Sequence, residues 1–387
     1  MALAFESAVP TRIIFGCGSL DKVPELVAKS GKRVLIVTGA SRRNAIELAE
    51  KLTQTGISSQ IFSVRDEPTT TDIKSAVSLV HQNNCDVIVG LGGGSAIDAA
   101  KATAAMATNQ GDITDYLEVI GKGKALTIEP LPMIAVPTTA GTGAEVTKNA
   151  VIKSEEFNVK VSLRSDRMYP QYAVIDPILT IGLSPEITAY TGIDALTHLI
   201  ETFVSAKSNP FIDMICREGL QRIATSLETA FTNGRNIEAR ENMAFAAMLG
   251  GIALANGKLG AVHGFAGPLG GLYPAPHGAV CACLLPAVME INIAALRKNN
   301  QAEVLTKYNE VAKWLTGNTN ACAEDGVVWL HKLVKKLKIP ALSSFGVQQA
   351  DFPGLVEKAK NASSMKGNPV TLNQEQLLLI LEKSMHF

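Results

Sequence analysis

The sequence predicts two domains of different class, an α/β domain with a parallel sheet over residues 1–180 and an all-α domain over residues 181–387. Three observations support this. A chain of 387 residues is too long for one ordinary hydrophobic core. Up to about residue 180, short apolar runs alternate with stretches of helical periodicity, as expected for a parallel sheet flanked by helices. Beyond it, apolar residues recur at helical spacing almost throughout. The change of texture falls between residues 178 and 184.

The first domain opens with Arg33-Val-Leu-Ile-Val-Thr38, a buried strand. Residues 44–55 place Ile46, Leu48, Ala49 and Leu52 at helical spacing. A second strand is expected over 59–63 and a second helix over 71–83. Asp86-Val-Ile-Val-Gly90 is a strand that runs into Gly92-Gly-Gly-Ser95 and then an Ala-rich helix to about Thr108. Further strands are expected over 131–136, 151–152, 159–163 and 173–175. Ser184-Pro185-Glu186 is an N-cap followed by Pro in the first turn. Helices then follow over 185–205, 211–231, 237–255, 279–298, 301–315, 322–337, 350–361 and 374–384.

Composition narrows the function. Lys+Arg and Asp+Glu are both 36, so no net field favours nucleic acid or an anionic membrane, and neither is expected as a partner. The N-terminus lacks a basic then apolar run, and Glu6 interrupts early, so a signal peptide is not expected. The longest stretch without Asp, Glu, Lys or Arg, residues 259–289, is broken by Pro268, Pro274, Pro276 and Pro286, which argues against a membrane span. The six Cys are scattered without a Cys-x-x-Cys, as in a cytoplasmic protein with reduced thiols. Cys281 and Cys283 alternate near His277, and packing is expected of them rather than ligation.

Three of the six His fall in two segments. In Gly192-Ile-Asp-Ala-Leu-Thr-His198, Asp194 and His198 are four residues apart, which on a helix puts both on one face. That spacing fits a surface hydrogen bond as well as half of a metal site. The second segment carries His263 and His277 in the charge-free stretch, where buried imidazoles need partners. The Gly and Pro between them break any continuous helix, so the segment should loop and return.

Two loops suit a phosphate. Gly92, Gly93, Gly94 and Ser95 sit where a strand hands over to a helix whose N-terminus offers free N–H groups, with Asp98 and Lys101 on its first turns. The same three Gly also fit a plain tight turn. Val136-Pro-Thr-Thr-Ala-Gly-Thr-Gly again follows a strand and supplies Thr138, Thr139 and Thr142. Lys160 is either a cation for the sugar or phosphate or a solvated strand residue.

On four motifs the chain resembles the iron-containing (group III) alcohol dehydrogenases: Gly92-Gly-Gly-Ser-Ala-Ile-Asp-Ala-Ala-Lys101, Pro137-Thr-Thr-Ala-Gly-Thr-Gly-Ala-Glu-Val-Thr147, Gly192-Ile-Asp-Ala-Leu-Thr-His-Leu-Ile-Glu201, and Pro276-His-Gly278 before Leu284-Leu-Pro286. The resemblance runs from Arg12-Ile-Ile-Phe-Gly16 to Gly367-Asn-Pro369. It implies a Rossmann-like dinucleotide-binding domain and a helical domain in a dehydroquinate-synthase-like architecture, with the active site in the cleft between. It implies that Asp194, His198, His263 and His277 ligate Fe(2+) or Zn(2+). It further implies that a small-molecule alcohol is interconverted with an aldehyde or ketone through NAD(H) or NADP(H), in a homo-oligomer such as a dimer. A metal ion would act there as a Lewis acid, and hydride transfer belongs to the nicotinamide.

Two positions depart from the family pattern. Members commonly carry a further His four residues after the third ligand, where this chain has Gly267. NAD-using members commonly carry Asp directly after the first strand, to bind the ribose 2′-hydroxyl and repel a 2′-phosphate. Here Gly39 is followed by Ala40-Ser41-Arg42-Arg43, a small residue with hydroxyl and guanidinium groups suited to that phosphate. NADP(H) is therefore expected over NAD(H), although Arg42 and Arg43 also fit the start of a solvated helix. The alternatives are a metal-independent reductase of the same fold, such as maleylacetate reductase, a dehydroquinate-synthase-like lyase, and a non-catalytic nucleotide or metal binder.

Overall fold

Strand β2 (Arg33–Thr38), an apolar run without alternation, is buried on both faces, and the first half of the protein is built around it and its neighbours. The computed structural model describes residues 4–157 and 159–386. The chain divides into two units. One holds Val9–Thr139 and Gly143–Thr180; the other holds the segment ending at Ala8, Ala140–Thr142, and Ile181 to the C-terminus.

In the first unit the elements run β1 (Arg12–Phe15), α1 (Val23–Ala28), β2, α2 (Arg43–Gln54), β3 (Ser58–Ser63), α3 (Thr70–Gln82), β4 (Val87–Gly92), α4 (Gly94–Met106), β5 (Met133–Pro137), β6 (Asn149–Ser154), β7 (Val159–Arg164) and β8 (Tyr172–Ile175). Six of these strands form a parallel sheet in the order β1-β8-β5-β4-β2-β3. Alternate residues feed two cores. Leu35, Val37, Ile88 and Ala135 pack with α3 and α4, while Val34, Ile36, Val89 and Val136 pack with α1 and α2. Burial of both faces explains the continuous apolar runs. A capping box fixes the start of α3, with Thr69 Oγ1 accepting from Asp72 N–H at 3.0 Å and Asp72 accepting from Thr69 N–H at 2.9 Å.

The sequence reading differs from the fold in three ways here. β1 and α1, four and six residues long, are too short to show a period. β6 and β7 leave the parallel sheet and pair antiparallel as a separate hairpin, Asn149 opposite Arg164. The segment ending at Ala8 and Ala140–Thr142 group with the helical unit.

The second unit is helical: α5 (Pro185–Val204), α6 (Pro210–Thr232), α7 (Ile237–Asn256), α8 (Ala261–Leu272), α9 (His277–Lys298), α10 (Ala302–Thr316), α11 (Ala323–Lys336), α12 (Phe352–Asn361) and α13 (Gln374–Ser384). The Ser184 hydroxyl accepts the Ile187 N–H at 3.2 Å and starts α5. From Gly192 onward α5 is buried on every side, which makes it the core of the unit. α9 is long and apolar enough to cross a membrane, but it lies mostly buried within this helical unit.

Helix α8 is absent from the sequence reading. It contains Pro268 and its N-cap, Gly260, has no side chain to offer. Its first N–H groups are satisfied from far away: Asn368 Oδ1 accepts from Ala261 N–H at 3.2 Å and Glu201 Oε1 from Val262 N–H at 2.7 Å. The break expected between His263 and His277 falls at residues 273–276.

Candidate functional site

Three helices bring the four expected ligands together. Asp194 and His198 lie one turn apart on α5, His263 is in the first turn of α8, and His277 is the first residue of α9. Asp194 Oδ1 is 3.6 Å from His277 Nε2, 3.7 Å from His263 Nε2 and 3.9 Å from His198 Nε2. The His198 and His263 rings stack with centroids 4.8 Å apart. The backbone allows this because Gly278 lies directly on α5: a Cβ there would stand 2.3 Å from the carbonyl oxygen of Tyr190. Only glycine lets the start of α9, and His277 with it, come so close.

Asp194 is 2% exposed, and its Oδ1 has no hydrogen-bond partner among the described residues. A bare carboxylate oxygen is costly to bury. Donors around an ion at about 2.1 Å in a tetrahedron stand about 3.4 Å apart, close to the spacings here. Donor atoms of Asp194, His263, His277 and Cys281 all lie within 4.8 Å of one another, a span that suits one iron or zinc ion, while His198 stands beside this group with Nε2 3.9 Å from Asp194 Oδ1.

The electrostatics agree. Burial raises the Asp194 carboxyl, yet the imidazoles of His198, His277 and His263 pull it well below the usual range. Burial pushes His198 down to about 4. Burial also opposes charge on His263, but Cys281, Asp194 and Glu201 together hold it well above its ordinary value. The negative charge of Cys281 as a thiolate is the main cause that pushes His277 up to about 9. The carboxylate and thiolate thus draw positive charge into the cluster, and a divalent cation would supply it in place of protons. The His277 side chain, 42% exposed, is where the cluster meets solvent.

Two residues of this cluster were missed by the sequence reading. Glu201 Oε2 lies 2.7 Å from His263 Nδ1, which leaves Nε2 turned toward Asp194. Its spacing from Asp194 and His198, seven and three residues on, was the available signal. Cys281, expected to pack, instead places Sγ 3.7 Å from His277 Nε2 and 3.9 Å from His263 Nε2. On a helix it shares a face with His277, four residues earlier. Cys283 points elsewhere, its thiol donating to the Pro340 carbonyl at 2.9 Å.

Gly267, where the family pattern has an imidazole, is exposed on α8 with open space where a side chain would begin.

In the sheet unit, the expected nucleotide residues gather at the carboxyl ends of adjacent strands. Thr38 of β2 is level with Leu91 of β4, and Gly92 with Pro137 of β5. Gly39, Gly93 and Thr138 therefore leave the sheet side by side. A Cβ on Gly92 would sit 2.6 Å from that of Ala96 and 3.4 Å from Gly39 N, and one on Gly93 would sit 3.4 Å from the Thr139 side chain. Gly94 and Ser95 open α4, whose N-cap Gly93 makes no side-chain hydrogen bond, so its first N–H groups suit an anion. Ser41 and Arg42 are exposed just before α2.

Three further expected cofactor residues are placed as follows. Asp98 faces inward, accepting the Val151 N–H at 3.0 Å and pairing with buried Lys101 at 3.1 Å. Lys101 also donates to Thr147 Oγ1 at 2.9 Å, so the pair ties α4 to the β6–β7 hairpin. Lys160 on β7 pairs with Glu67 at 2.6 Å. Thr142 groups with the helical unit.

Residues 10–177 match the model for iron-containing alcohol dehydrogenase, and residues 188–385 match the C-terminal model of the same family. The chain is 35% identical to alcohol dehydrogenase 4 of Saccharomyces cerevisiae and 34% identical to 1,3-propanediol dehydrogenase of Klebsiella pneumoniae, over 98% of both chains in each case. It superposes on the alcohol dehydrogenase from Oenococcus oeni with a TM-score of 0.91 at 32% identity, over 98% of this chain and 100% of that one. The chain belongs to the iron-containing alcohol dehydrogenase family.

Proposed function

We propose that this protein is a metal-dependent, NAD(P)-linked alcohol dehydrogenase, equally an aldehyde reductase, in which Asp194, His198, His263 and His277 hold iron(II) or zinc. The observation that carries this reading is Asp194 Oδ1, buried without a hydrogen bond among the described residues and 3.6–3.9 Å from three imidazole nitrogens. The names of the yeast and Klebsiella relatives support a small alcohol or diol as substrate.

When bound, the ion supplies Lewis acidity toward the substrate oxygen, and the nicotinamide gives or takes the hydride. The chain's own residues do the rest. Asp194 provides the compensating negative charge. Glu201 accepts the Nδ1 proton of His263 and so fixes the tautomer whose Nε2 lone pair is free. The N-terminus of α4, with Gly92, Gly93, Gly94 and Ser95, receives the dinucleotide phosphates, assisted by Thr138 and Thr139. Gly39, Ser41 and Arg42 favour NADP(H), since no carboxylate stands there to repel a 2′-phosphate. With Gly267 there is no imidazole at that point of α8 to take the alcohol proton.

Metal content per chain, measured on protein purified anaerobically beside His277→Ala, tests the proposal. Near-stoichiometric iron or zinc, lost in the variant together with turnover, is expected. No metal, even after loading with iron(II) and zinc, overturns it in favour of a metal-independent reductase of the same fold, such as maleylacetate reductase.

A further inference from the structure

The four-ligand reading leaves one group in the cluster without a role. Cys281 is fully buried, and its Sγ faces the two imidazole nitrogens at 3.7 and 3.9 Å. One donor atom each from Asp194, His263, His277 and Cys281 fits within a span of 4.8 Å, the size of a single coordination sphere.

We propose that Cys281 is itself a metal donor in this centre, and that its sulfur biases the site toward thiophilic divalent ions, zinc or cobalt, over iron(II). The inference rests on the metal-centre reading above and extends it to a further ligand.

Three observations carry it. The first is direction. Cys281 lies one helical turn after His277 and projects to the same side of α9, whereas Cys283, two residues on, bonds the Pro340 carbonyl. The second is the carboxylate near it. Asp194 Oδ1, 2% exposed and without a hydrogen bond among the described residues, faces the same point from α5. The third is chemistry. A cysteine kept only for packing would lie among apolar atoms, but this sulfur sits against two imidazole nitrogens at distances too long for a strong hydrogen bond. Two donors joined by an ion at about 2.1–2.3 Å from each stand about this far apart. As the sulfur–metal bond forms, the thiol proton passes to solvent. Thiolate is a soft ligand that suits zinc better than the hard donors do, so its presence shifts selectivity.

The test is cobalt(II) substitution of the full-length protein, read by absorption. The native metal is removed with a chelator, cobalt(II) is added, and the protein is compared with Cys281→Ser, Cys281→Ala, Cys283→Ser and His277→Ala. The wild type and Cys283→Ser should show a sulfur-to-cobalt charge-transfer band in the near ultraviolet beside the visible cobalt bands. Both Cys281 variants should keep the visible bands and lose the near-ultraviolet one. Their zinc affinity should fall about tenfold or more while iron(II) affinity changes less, since even outer-sphere changes cost about 10–100-fold. Cobalt bound to the wild type without the near-ultraviolet band, or a band that survives in Cys281→Ala, overturns the proposal and leaves the four-ligand centre standing. Failure of the wild type to bind cobalt at all, or equal binding by His277→Ala, overturns both.

Discussion

Glu201 grips His263 and the helix that carries it at once: one carboxylate oxygen lies 2.7 Å from the imidazole Nδ1, and the other accepts the Val262 N–H at 2.7 Å. A single side chain on α5 thereby starts α8 and aims its imidazole. Both partners are donors, so Glu201→Gln must present an NH2 group to one of them. Metal affinity should fall about 10–100-fold by chelator competition, with a stability loss of about 1–3 kcal/mol. A stability loss with unchanged metal affinity would reduce Glu201 to a helix cap.

Gly278 sets the distance between α9 and α5. In Gly278→Ala the added Cβ would stand 2.3 Å from the Tyr190 carbonyl oxygen, and neither is the tip of a flexible chain. The helices must part and carry His277 away from Asp194. A cost of about 1–3 kcal/mol is expected in denaturant unfolding, together with weaker metal binding. Unchanged values for both would mean that the contact relaxes without moving His277.

Glu145, 3% exposed in the turn after β5, has its carboxyl pushed up to about 7 by burial. The neutral form suits the folded state, so the stability it gives is complete below its ordinary value of 4.5 and is lost as pH rises through about 7. Glu145→Gln should match the wild type at pH ~5 and exceed it by about 1–3 kcal/mol at pH ~8. Thermal unfolding at the two pH values checks this; a variant equally displaced at both would show that Glu145 is not titrating.

Gly39 follows β2 with nothing within 4 Å of where a side chain would begin, so Gly39→Asp should fold normally. The new carboxylate would accept from a ribose 2′-hydroxyl and repel a 2′-phosphate. The NADPH-to-NADH ratio of kcat/KM should drop about tenfold, equivalent to about 1.4 kcal/mol. A ratio that does not move would remove the case for NADP(H) at this turn.

The sequence by itself determined the class of each half and singled out Asp194, His198, His263 and His277 as expected ligands. β2 and β4 are apolar on both faces because helices cover both faces of the sheet, and that forces unbroken runs a reader can see. Asp194 and His198 were legible as a pair because helical geometry is local. What only the tertiary structure decided depends on groups distant in the chain. Helix α8 has no cap of its own and borrows Glu201 and Asn368, 61 and 107 residues away, so no local signal marks its start. That Asp98 pairs with Lys101, and Lys160 with Glu67, is also decided by the fold rather than by any local pattern. Cys281 reads as packing in a string of apolar residues, and it becomes a candidate ligand once α8 and α9 meet α5 and leave its sulfur facing imidazoles from two helices.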